Sequence, residues 1–288
     1  IASGGNYNVC VGDEAGTAIS TGDQNTAVGY QAGAATITAG SSSFFGYQAG
    51  LVSDSPGNNF FGYLAGGATT SGFNNIAMGN LALHTNVDGD DNVAIGSNAL
   101  RFLEPANGSS YNTGVGSQAG ILLETGVNNT FVGGLAGDGN TAGSNNTAVG
   151  KSALSAGCGD NNVAVGAGAL AVNVSTNNVA VGKDAGAAST GTGNTYIGAK
   201  VGDVNTDGIA NVAVGGDNLY AALGSDTRGK FTTAIGFGAL TAQNFTSVTQ
   251  TNNVAVGYFA GGVNATGTGN TYLGSLAGDD SNDGANNV

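Results

Sequence analysis

The chain has 288 residues, of which 54 are Gly, 2 are Pro and 9% are charged, and its formal net charge at pH 7 is −13. An acidic chain with only 6 Lys and Arg residues is a poor partner for nucleic acid or an anionic membrane, since both require a basic surface. Hydrophobic residues at 40% argue against a disordered chain, and abundant Gly without a Gly-X-Y period excludes collagen.

One short phrase returns along the whole chain: residues 24–33 read QNTAVGYQAG and residues 252–261 read NNVAVGYFAG. Taking the glycine that closes each apolar run as an origin gives 16 repeats, spaced by 16 or 17 residues in twelve of the fifteen intervals. The origins are Gly12, Gly29, Gly46, Gly62, Gly79, Gly96, Gly116, Gly133, Gly150, Gly166, Gly182, Gly198, Gly215, Gly236, Gly257 and Gly274. Such a period is typical of repeat architectures, so we predict a single repeat array over residues 1–288.

A short β-branched segment of the form Asn-[Val/Thr]-Ala-[Val/Ile] stands before most origin glycines, which is typical of a strand. The period leaves no room for a crossover helix of normal length. We therefore predict an all-β fold, a parallel β-solenoid of 16 coils of 16–17 residues in which each strand stacks on the next. The residues after the glycine form a return corner, a second short strand or a single helical turn.

Positions are numbered from the origin glycine, so that position −1 is the residue directly before it. Position −4 is Asn in 14 of the 16 repeats, with Ser42 and Thr232 as the exceptions. Stacked amides can hydrogen-bond along such a column, which predicts an asparagine ladder, although a single Asn can also simply open a turn. The origin glycine predicts a corner with positive φ or a close backbone approach.

Side chains alternate across a strand, so positions −1 and −3 share one face and position −2 has the other. Position −1 is always large and apolar, and we assign positions −1 and −3 to the coil interior. Position −2 then points outward although it is mostly Ala or aromatic, so we expect other chains to cover it in an obligate parallel oligomer. The predicted interface residues are Ala27, Phe44, Phe60, Ala77, Ala94, Phe131, Ala148, Ala164, Ala180, Tyr196, Ala213, Ala234, Ala255 and Tyr272. The alternative is a flattened coil that covers this second face by itself.

Side chains with catalytic or ligand-binding chemistry are few. His84 is the one histidine and has no nucleophile beside it in the sequence, so we expect a solvated His and no enzyme activity. Asp88, Asp90 and Asp91 are weak candidates for a Ca²⁺ site, with solvated acidic turns as the simpler interpretation. We expect no other cofactor.

The three longer intervals, of 20, 21 and 21 residues, insert loops, and half of the six basic residues lie in two of these loops. They are Arg101, Arg228 and Lys230. Insertions in a solenoid project from one face, often the binding face, so these residues are candidate receptor contacts. Tolerated drift of loop length is the alternative.

The repeated phrases also carry a family resemblance. NNVAVG (161–166, 177–182 and 252–257), NTAVGYQAG (25–33) and NTYIGAKVG (194–202) resemble the head repeats of YadA-type trimeric autotransporter adhesins. They are similar as well to longer-period repeats of bacteriophage tail and collar fibres and of large bacterial surface proteins. The resemblance covers essentially the whole chain, and it implies a left-handed parallel β-roll in which three chains form a rod that presents a host-binding surface. The adhesin repeats are commonly a little shorter, and their stalk and membrane anchor have no counterpart in this sequence.

Together these features predict a non-enzymatic structural or adhesive fibre segment, extracellular on a virion or cell surface, whose partners are copies of itself and a host receptor or glycan. No apolar run is long enough to span a membrane. The sequence begins and ends within a repeat, so we expect a fragment of a longer fibre chain. The alternatives are a purely structural filament, an ice-binding solenoid and a polysaccharide-acting β-helix enzyme. Ice binding requires aligned outward Thr, whereas Thr at position −3 is assigned to the interior, and the enzyme requires an acidic pair, whereas Asp and Glu are scattered.

Overall fold

The computed structural model describes residues 4–105, 108–203, 205–216, 229–245, 247, 249–280 and 283–288. Over these residues the chain consists of short strands and turns, and the predicted all-β parallel solenoid is confirmed. This described part contains no helix that could cross a membrane. The chain divides into two compact units, Ile1–Asn146 and Thr147–Val288, and each is described by itself. The single array over residues 1–288 stays a prediction.

The described residues of the first unit form ten short strands. They are β1 (Val9–Val11), β2 (Thr26–Val28), β3 (Ser43–Phe45), β4 (Asn59–Phe61), β5 (Ile76–Met78), β6 (Gly89–Asp90), β7 (Val93–Ile95), β8 (Gly108–Ser109), β9 (Thr113–Val115) and β10 (Thr130–Val132). The three-residue strands each end directly before an origin glycine and pair in parallel in chain order. Partner residues occupy the same repeat position, as Ala27 does opposite Phe44. The two-residue strands β6 and β8 pair with each other, and β8 lies in the first of the long intervals.

The second unit repeats this organisation. Its strands are β11 (Thr147–Val149), β12 (Val163–Val165), β13 (Val179–Val181), β14 (Thr195–Ile197), β15 (Val212–Val214), β16 (Gly229–Lys230), β17 (Thr233–Ile235), β18 (Thr249–Gln250), β19 (Val254–Val256) and β20 (Thr271–Leu273). Again the three-residue strands pair in parallel and in register, as Val163 does with Val179. The two-residue strands β16 and β18 form a separate parallel pair and belong to the remaining long intervals.

Each coil turns tightly because several of its positions have a left-handed backbone. In one coil of the first unit, φ is 59° at Ser41, 134° at Gly46, 52° at Gln48 and 57° at Gly50. A Cβ added at Gly46 would lie 2.5 Å from the carbonyl oxygen of Gly62, so the positive φ and close approach predicted for the origin glycine are both found. The segment after the glycine is therefore a turn corner and forms neither a second strand nor a helical turn.

The asparagines at position −4, apart from the half-buried Asn8, are buried, and they join successive coils. The Asn75 N–H donates to Oδ1 of Asn58 (2.9 Å), and Asn75 Nδ2 donates to the carbonyl of Gly89 (2.8 Å). Asn75 Oδ1 accepts the N–H of Asn92 (2.9 Å) and also its Nδ2–H (3.1 Å). The predicted ladder is thus present, but most of its bonds run between amide and backbone. Where Ser42 replaces Asn, its Oγ still accepts the N–H of Asn58 (3.2 Å).

Position −2 lies inside the coil, so the assignment of the two strand faces made from the sequence is wrong. All fourteen predicted interface residues are covered by their own chain, with relative exposures of 0–5%. They are Ala27, Phe44, Phe60, Ala77, Ala94, Phe131, Ala148, Ala164, Ala180, Tyr196, Ala213, Ala234, Ala255 and Tyr272. A side chain that its own chain covers cannot be covered by another. The alternative of a flattened coil that covers position −2 by itself is the one the structure adopts.

The interior of the coils is narrow, which explains why small residues dominate position −2. The side chain at −2 packs in the same interior as the Ala at position +3 and the residue at position +4, which is Gly or Leu. Phe44 fills the interior of its coil, and a Cβ added at Gly33 in the preceding coil would lie 2.6 Å from the Phe44 ring. In the coil of Gly79, Ala77 leaves room for Leu83, and both are fully buried.

Candidate functional site: the outer stripe

The outward face of the strands carries positions −1 and −3. We call the column at position −1 the outer stripe. It consists of Val11, Val28, Phe45, Phe61, Met78, Ile95, Val115 and Val132 in the first unit, and Val149, Val165, Val181, Ile197, Val214, Ile235, Val256 and Leu273 in the second. Every member is apolar, and every member is exposed or half-buried. These residues were predicted from the sequence to lie in the core, and so the surface that they form was missed.

The outer stripe is uninterrupted within each unit. In-register pairing places equivalent side chains about 4.8 Å apart. Phe45 and Phe61 show this directly, because their rings stack with centroids 4.9 Å apart and planes 5° from parallel. The neighbouring position −3 is Val, Ile, Thr, Ser or Asn, so no three-residue strand has a charged side chain on this face. Each unit therefore presents a continuous apolar surface without electrostatic specificity.

Two of the three basic residues predicted to contact a receptor lie among the described residues, one in each unit. Arg101, in the first unit, is half-buried, donates from Nη1 to Oδ1 of Asn98 (3.2 Å) and lies 4.9 Å from the centre of the Phe102 ring. Lys230, in the second unit, belongs to β16 and is tied into the β16–β18 pair. Arg228 lies outside the described residues. Parts of the long intervals therefore form the short strands β8, β16 and β18.

Two of the candidate cation ligands, Asp90 and Asp91, accept hydrogen bonds from the preceding coil, whereas Oδ1 of Asp88 is buried and has no hydrogen-bond partner among the described residues. Asp90 Oδ1 accepts the N–H of Phe73 (3.0 Å), and Asp91 Oδ1 accepts from Nδ2 of Asn74 (3.2 Å). Burial raises the pKa of Asp90, the hydrogen bond from Phe73 opposes this, and the charges of Asp91 and Asp88 raise the pKa further. Within the described residues no three His, Cys, Asp or Glu side chains form a metal-binding group.

His84 and Cys10 are half-buried, and Cys158 is buried. Burial, aided by the positive charge of Arg101, lowers the pKa of His84 below its ordinary value of 6.5. Cys10 and Cys158 are free thiols, and burial raises the pKa of Cys158 to about 12. The thiolate is the reactive form of cysteine, so Cys158 is inert at neutral pH.

Comparison with known protein families and with curated proteins finds no match to this chain. The resemblance to adhesin and fibre repeats therefore rests on the short repeated phrases alone. The outer stripe, by contrast, is a feature of the fold.

Proposed function

We propose that this chain is a non-enzymatic structural and adhesive fibre segment, in which copies of the chain lie side by side with their outer stripes in contact. The observation that carries the proposal is the apolar character of position −1 in every coil of both units. An exposed apolar patch rimmed by polar residues is typical of an interaction surface. Burying it contributes about 25 cal/mol per Å² of apolar area. By the resemblance of the repeats, the assembly is a parallel homotrimer.

A second copy of the chain is the partner that fits the outer stripe. The stripe repeats at the strand spacing of about 4.8 Å, so a partner must present apolar groups at the same spacing if side chains are to interdigitate. Another outer stripe has this spacing in a parallel alignment. Because the strands carry no charge on this face, two copies meet without burying an unpaired ion.

Stiffness of the coils supports the fibre part of the proposal. Strand and corner are both hydrogen-bonded from coil to coil, as in the N–H of Gly46 to the carbonyl of Val28 and the N–H of Gln48 to the carbonyl of Tyr30, each 2.8 Å. Such an array suits an extracellular shaft on a virion or cell. Its corners stay outside when the stripes are covered, and they are the surface that we propose for a host receptor or glycan.

Light scattering during size-exclusion chromatography tests self-association. We expect the unaltered chain to elute as an oligomer of three copies and Val181→Lys to elute as a monomer, because the substitution places an ammonium group on the stripe. Val172→Lys is the matched control, since Val172 is an exposed valine off the stripe (47% against 38% for Val181) and should leave the mass unchanged. A monomeric unaltered chain, or equal effects of the two variants, contradicts the proposal.

Attachment is tested separately by binding of the labelled oligomer to a glycan array and to intact cells. Saturable binding to a defined glycan or to a cell-surface receptor supports the adhesive role. Failure to bind either, with the oligomer intact, favours the purely structural filament.

Ice binding is a second candidate, because the corrected faces place Thr at position −3 outward. Thr130 is exposed in the first unit, and Thr271 in the second. In the first unit Thr130 pairs in register with Thr113, beside the stripe residues Val115 and Val132. A thermal hysteresis assay decides: a gap between melting and freezing that Thr130→Lys reduces supports this candidate, and the absence of a gap removes it.

A further inference from the structure

A column of exposed tyrosines lies at position +1, directly after the origin glycine, in three successive coils of the first unit. Tyr30, Tyr47 and Tyr63 stack with ring centroids 5.2 Å and 5.3 Å apart and with planes 22° and 14° from parallel. We call these three residues the tyrosine column. They lie in the corners, off the outer stripe, and the proposed self-association does not use them.

The backbone holds the tyrosine column in register. The residue after each tyrosine donates its N–H to the preceding coil: Gln48 to the Tyr30 carbonyl (2.8 Å) and Leu64 to the Tyr47 carbonyl (2.9 Å). The amides of Gln31 and Gln48 are themselves joined, Nε2 of Gln48 donating to Oε1 of Gln31 (2.6 Å). The Cα atoms of the three tyrosines are therefore fixed as neighbours.

The phenol groups, in contrast, are open to solvent. The exposed fractions are 40% for Tyr30, 44% for Tyr47 and 48% for Tyr63. Within the described residues, no hydrogen bond holds any of their three hydroxyls. Each phenol is thus accessible to an oxidant while the centre of a neighbouring ring lies no more than 5.3 Å away. Proximity of this kind favours a reaction between neighbours over a reaction between molecules.

We propose that the tyrosine column is an oxidative cross-linking site at which neighbouring phenols couple to dityrosine. A haem peroxidase with hydrogen peroxide removes one electron and one proton from each of two phenols. The two radicals join through their ortho carbons (Cε), a C–C bond forms, and the hydrogen on each Cε moves to the phenolic oxygen as the rings become aromatic again. In sum, two tyrosines and one hydrogen peroxide give one dityrosine and two waters.

A bond of this kind ties successive coils covalently. Tyr30 and Tyr47 are 17 residues apart and Tyr47 and Tyr63 are 16 apart, one repeat in each case. Like a disulfide, a cross-link between them restricts the unfolded chain. The covalent bonds then form after folding, between coils whose strands already stack in register.

The second unit contains a natural comparison at the same repeat position. Phe237 and Tyr258 stack with centroids 5.8 Å apart and planes 14° from parallel, but this pair has only one phenol and cannot couple. It also shows that a phenylalanine is accepted in such a stack. A Tyr→Phe substitution in the tyrosine column therefore removes the reactive group and keeps the packing.

The test is limited oxidation of the full chain, followed by cleavage before aspartate and mass spectrometry. Asp23 and Asp54 bound a peptide that contains both Tyr30 and Tyr47, whereas Tyr63 falls in the next peptide. Coupling of Tyr30 to Tyr47 appears as the loss of two hydrogens within the first peptide. Coupling of Tyr47 to Tyr63 joins the two peptides.

Two controls make the result decisive. Tyr47→Phe breaks both pairs and should lower the dityrosine yield at least about ten-fold, whereas Tyr7→Phe, at an exposed and unstacked tyrosine, should leave it unchanged. An equal mixture of ¹⁵N-labelled and unlabelled chains should give cross-links within one isotope only. The proposal is overturned by mixed-isotope products, by an equal yield from Tyr47→Phe, or by no dityrosine under conditions that couple free tyrosine.

Discussion

Two stretches of the first unit fill the same narrow interior in opposite ways. In the coils of Gly46 and Gly62, an aromatic ring at position −2 is paired with glycine at position +4. In the coils of Gly79 and Gly96, alanine at −2 is paired with leucine at +4. The pairs are Phe44 with Gly50 and Phe60 with Gly66, against Ala77 with Leu83 and Ala94 with Leu100. We call the two kinds aromatic coils and alanine–leucine coils.

The backbone at position +4 has the same conformation in both kinds of coil. The space left by the side chain at position −2 therefore determines whether glycine or leucine occurs there. φ is 57° at Gly66 and 50° at Leu83, both left-handed. Glycine adopts this conformation freely, whereas a leucine there costs of order 1–3 kcal/mol. Leucine occurs where the small side chain at −2 leaves a void, because filling that void offsets the strain. The interior volume of a coil is therefore shared between two positions that are far apart in the repeat.

The largest expected effect comes from removing the aromatic ring at position −2 of an aromatic coil and then filling the cavity with a leucine at position +4. Phe60→Ala removes a fully buried ring and should lower the free energy of unfolding by about 3–5 kcal/mol. Gly66→Leu alone should cost about 2–6 kcal/mol, because its side chain meets the Phe60 ring and the left-handed φ adds backbone strain. The double variant has the composition of an alanine–leucine coil and should be more stable than Phe60→Ala. Urea denaturation followed by circular dichroism measures all three.

The control for this cycle is Gly66→Leu combined with Ala94→Val, two changes in different coils. That pair should behave additively, since distant substitutions seldom couple. If Phe60→Ala and Gly66→Leu are also additive, position +4 does not share the interior with position −2 and the comparison fails.

A second prediction asks whether the asparagine column is equally important in both kinds of coil. Asn75 precedes the strand of an alanine–leucine coil and accepts the N–H of Asn92 in the next coil. Ser42 precedes the strand of an aromatic coil and accepts the N–H of Asn58 in the next coil. Removing that acceptor leaves a buried N–H without a hydrogen-bond partner. Asn75→Ala and Ser42→Ala should therefore each lower the free energy of unfolding by about 1–3 kcal/mol. Asn75→Ser keeps an acceptor and should cost less. Equal losses for Asn75→Ser and Asn75→Ala in thermal unfolding would show that the acceptor is unimportant.

These coils also show how far the sequence can be interpreted without a structure. The strands and their register followed from short segments bounded by Asn and Gly at a fixed period, since such segments can only stack on one another. Alternation separated position −2 from positions −1 and −3, but it does not say which face is inside. Size at position −1 was taken as the guide and was misleading, because the interior is too narrow for a large residue in every coil.

The signal that identifies the interior was nevertheless present in the sequence. Phe60 occurs with Gly66 and Ala94 with Leu100, a compensation of volume expected only between residues that share one space. The tyrosine column is different. Three tyrosines at position +1 are visible in the sequence, but their stacking depends on how the left-handed corner directs the side chains, and no pattern of residue types gives that direction.

The smallest effect concerns two aspartates, one in each stretch, whose pKa values shift in opposite directions. Burial alone would raise the pKa of Asp54, but the N–H groups of Ile37, Thr38 and Ala39 donate to its carboxylate, and the net effect is a pKa below the ordinary 3.8. Its contribution to stability is therefore present above pH 3.8 and is lost as the pH falls through the lowered pKa. For Asp90, whose pKa is raised, the sign reverses: stability is highest below pH 3.8 and declines as the pH rises through the raised pKa.

Substituting asparagine for each aspartate tests the two predicted pH dependences of the free energy of unfolding. Asp54→Asn should cost about 1 kcal/mol at pH 7, since the charge that strengthens three hydrogen bonds is removed, and the loss should vanish as the pH falls below 3.8. Asp90→Asn should leave the chain as stable or more stable at pH 7, because the amide still accepts from Phe73 without the cost of a buried charge. Unfolding curves between pH 3 and pH 7 give both trends. Parallel pH profiles for the two variants would mean that the aspartates have one common role, and the aromatic and alanine–leucine stretches would then differ only in how they fill their interiors.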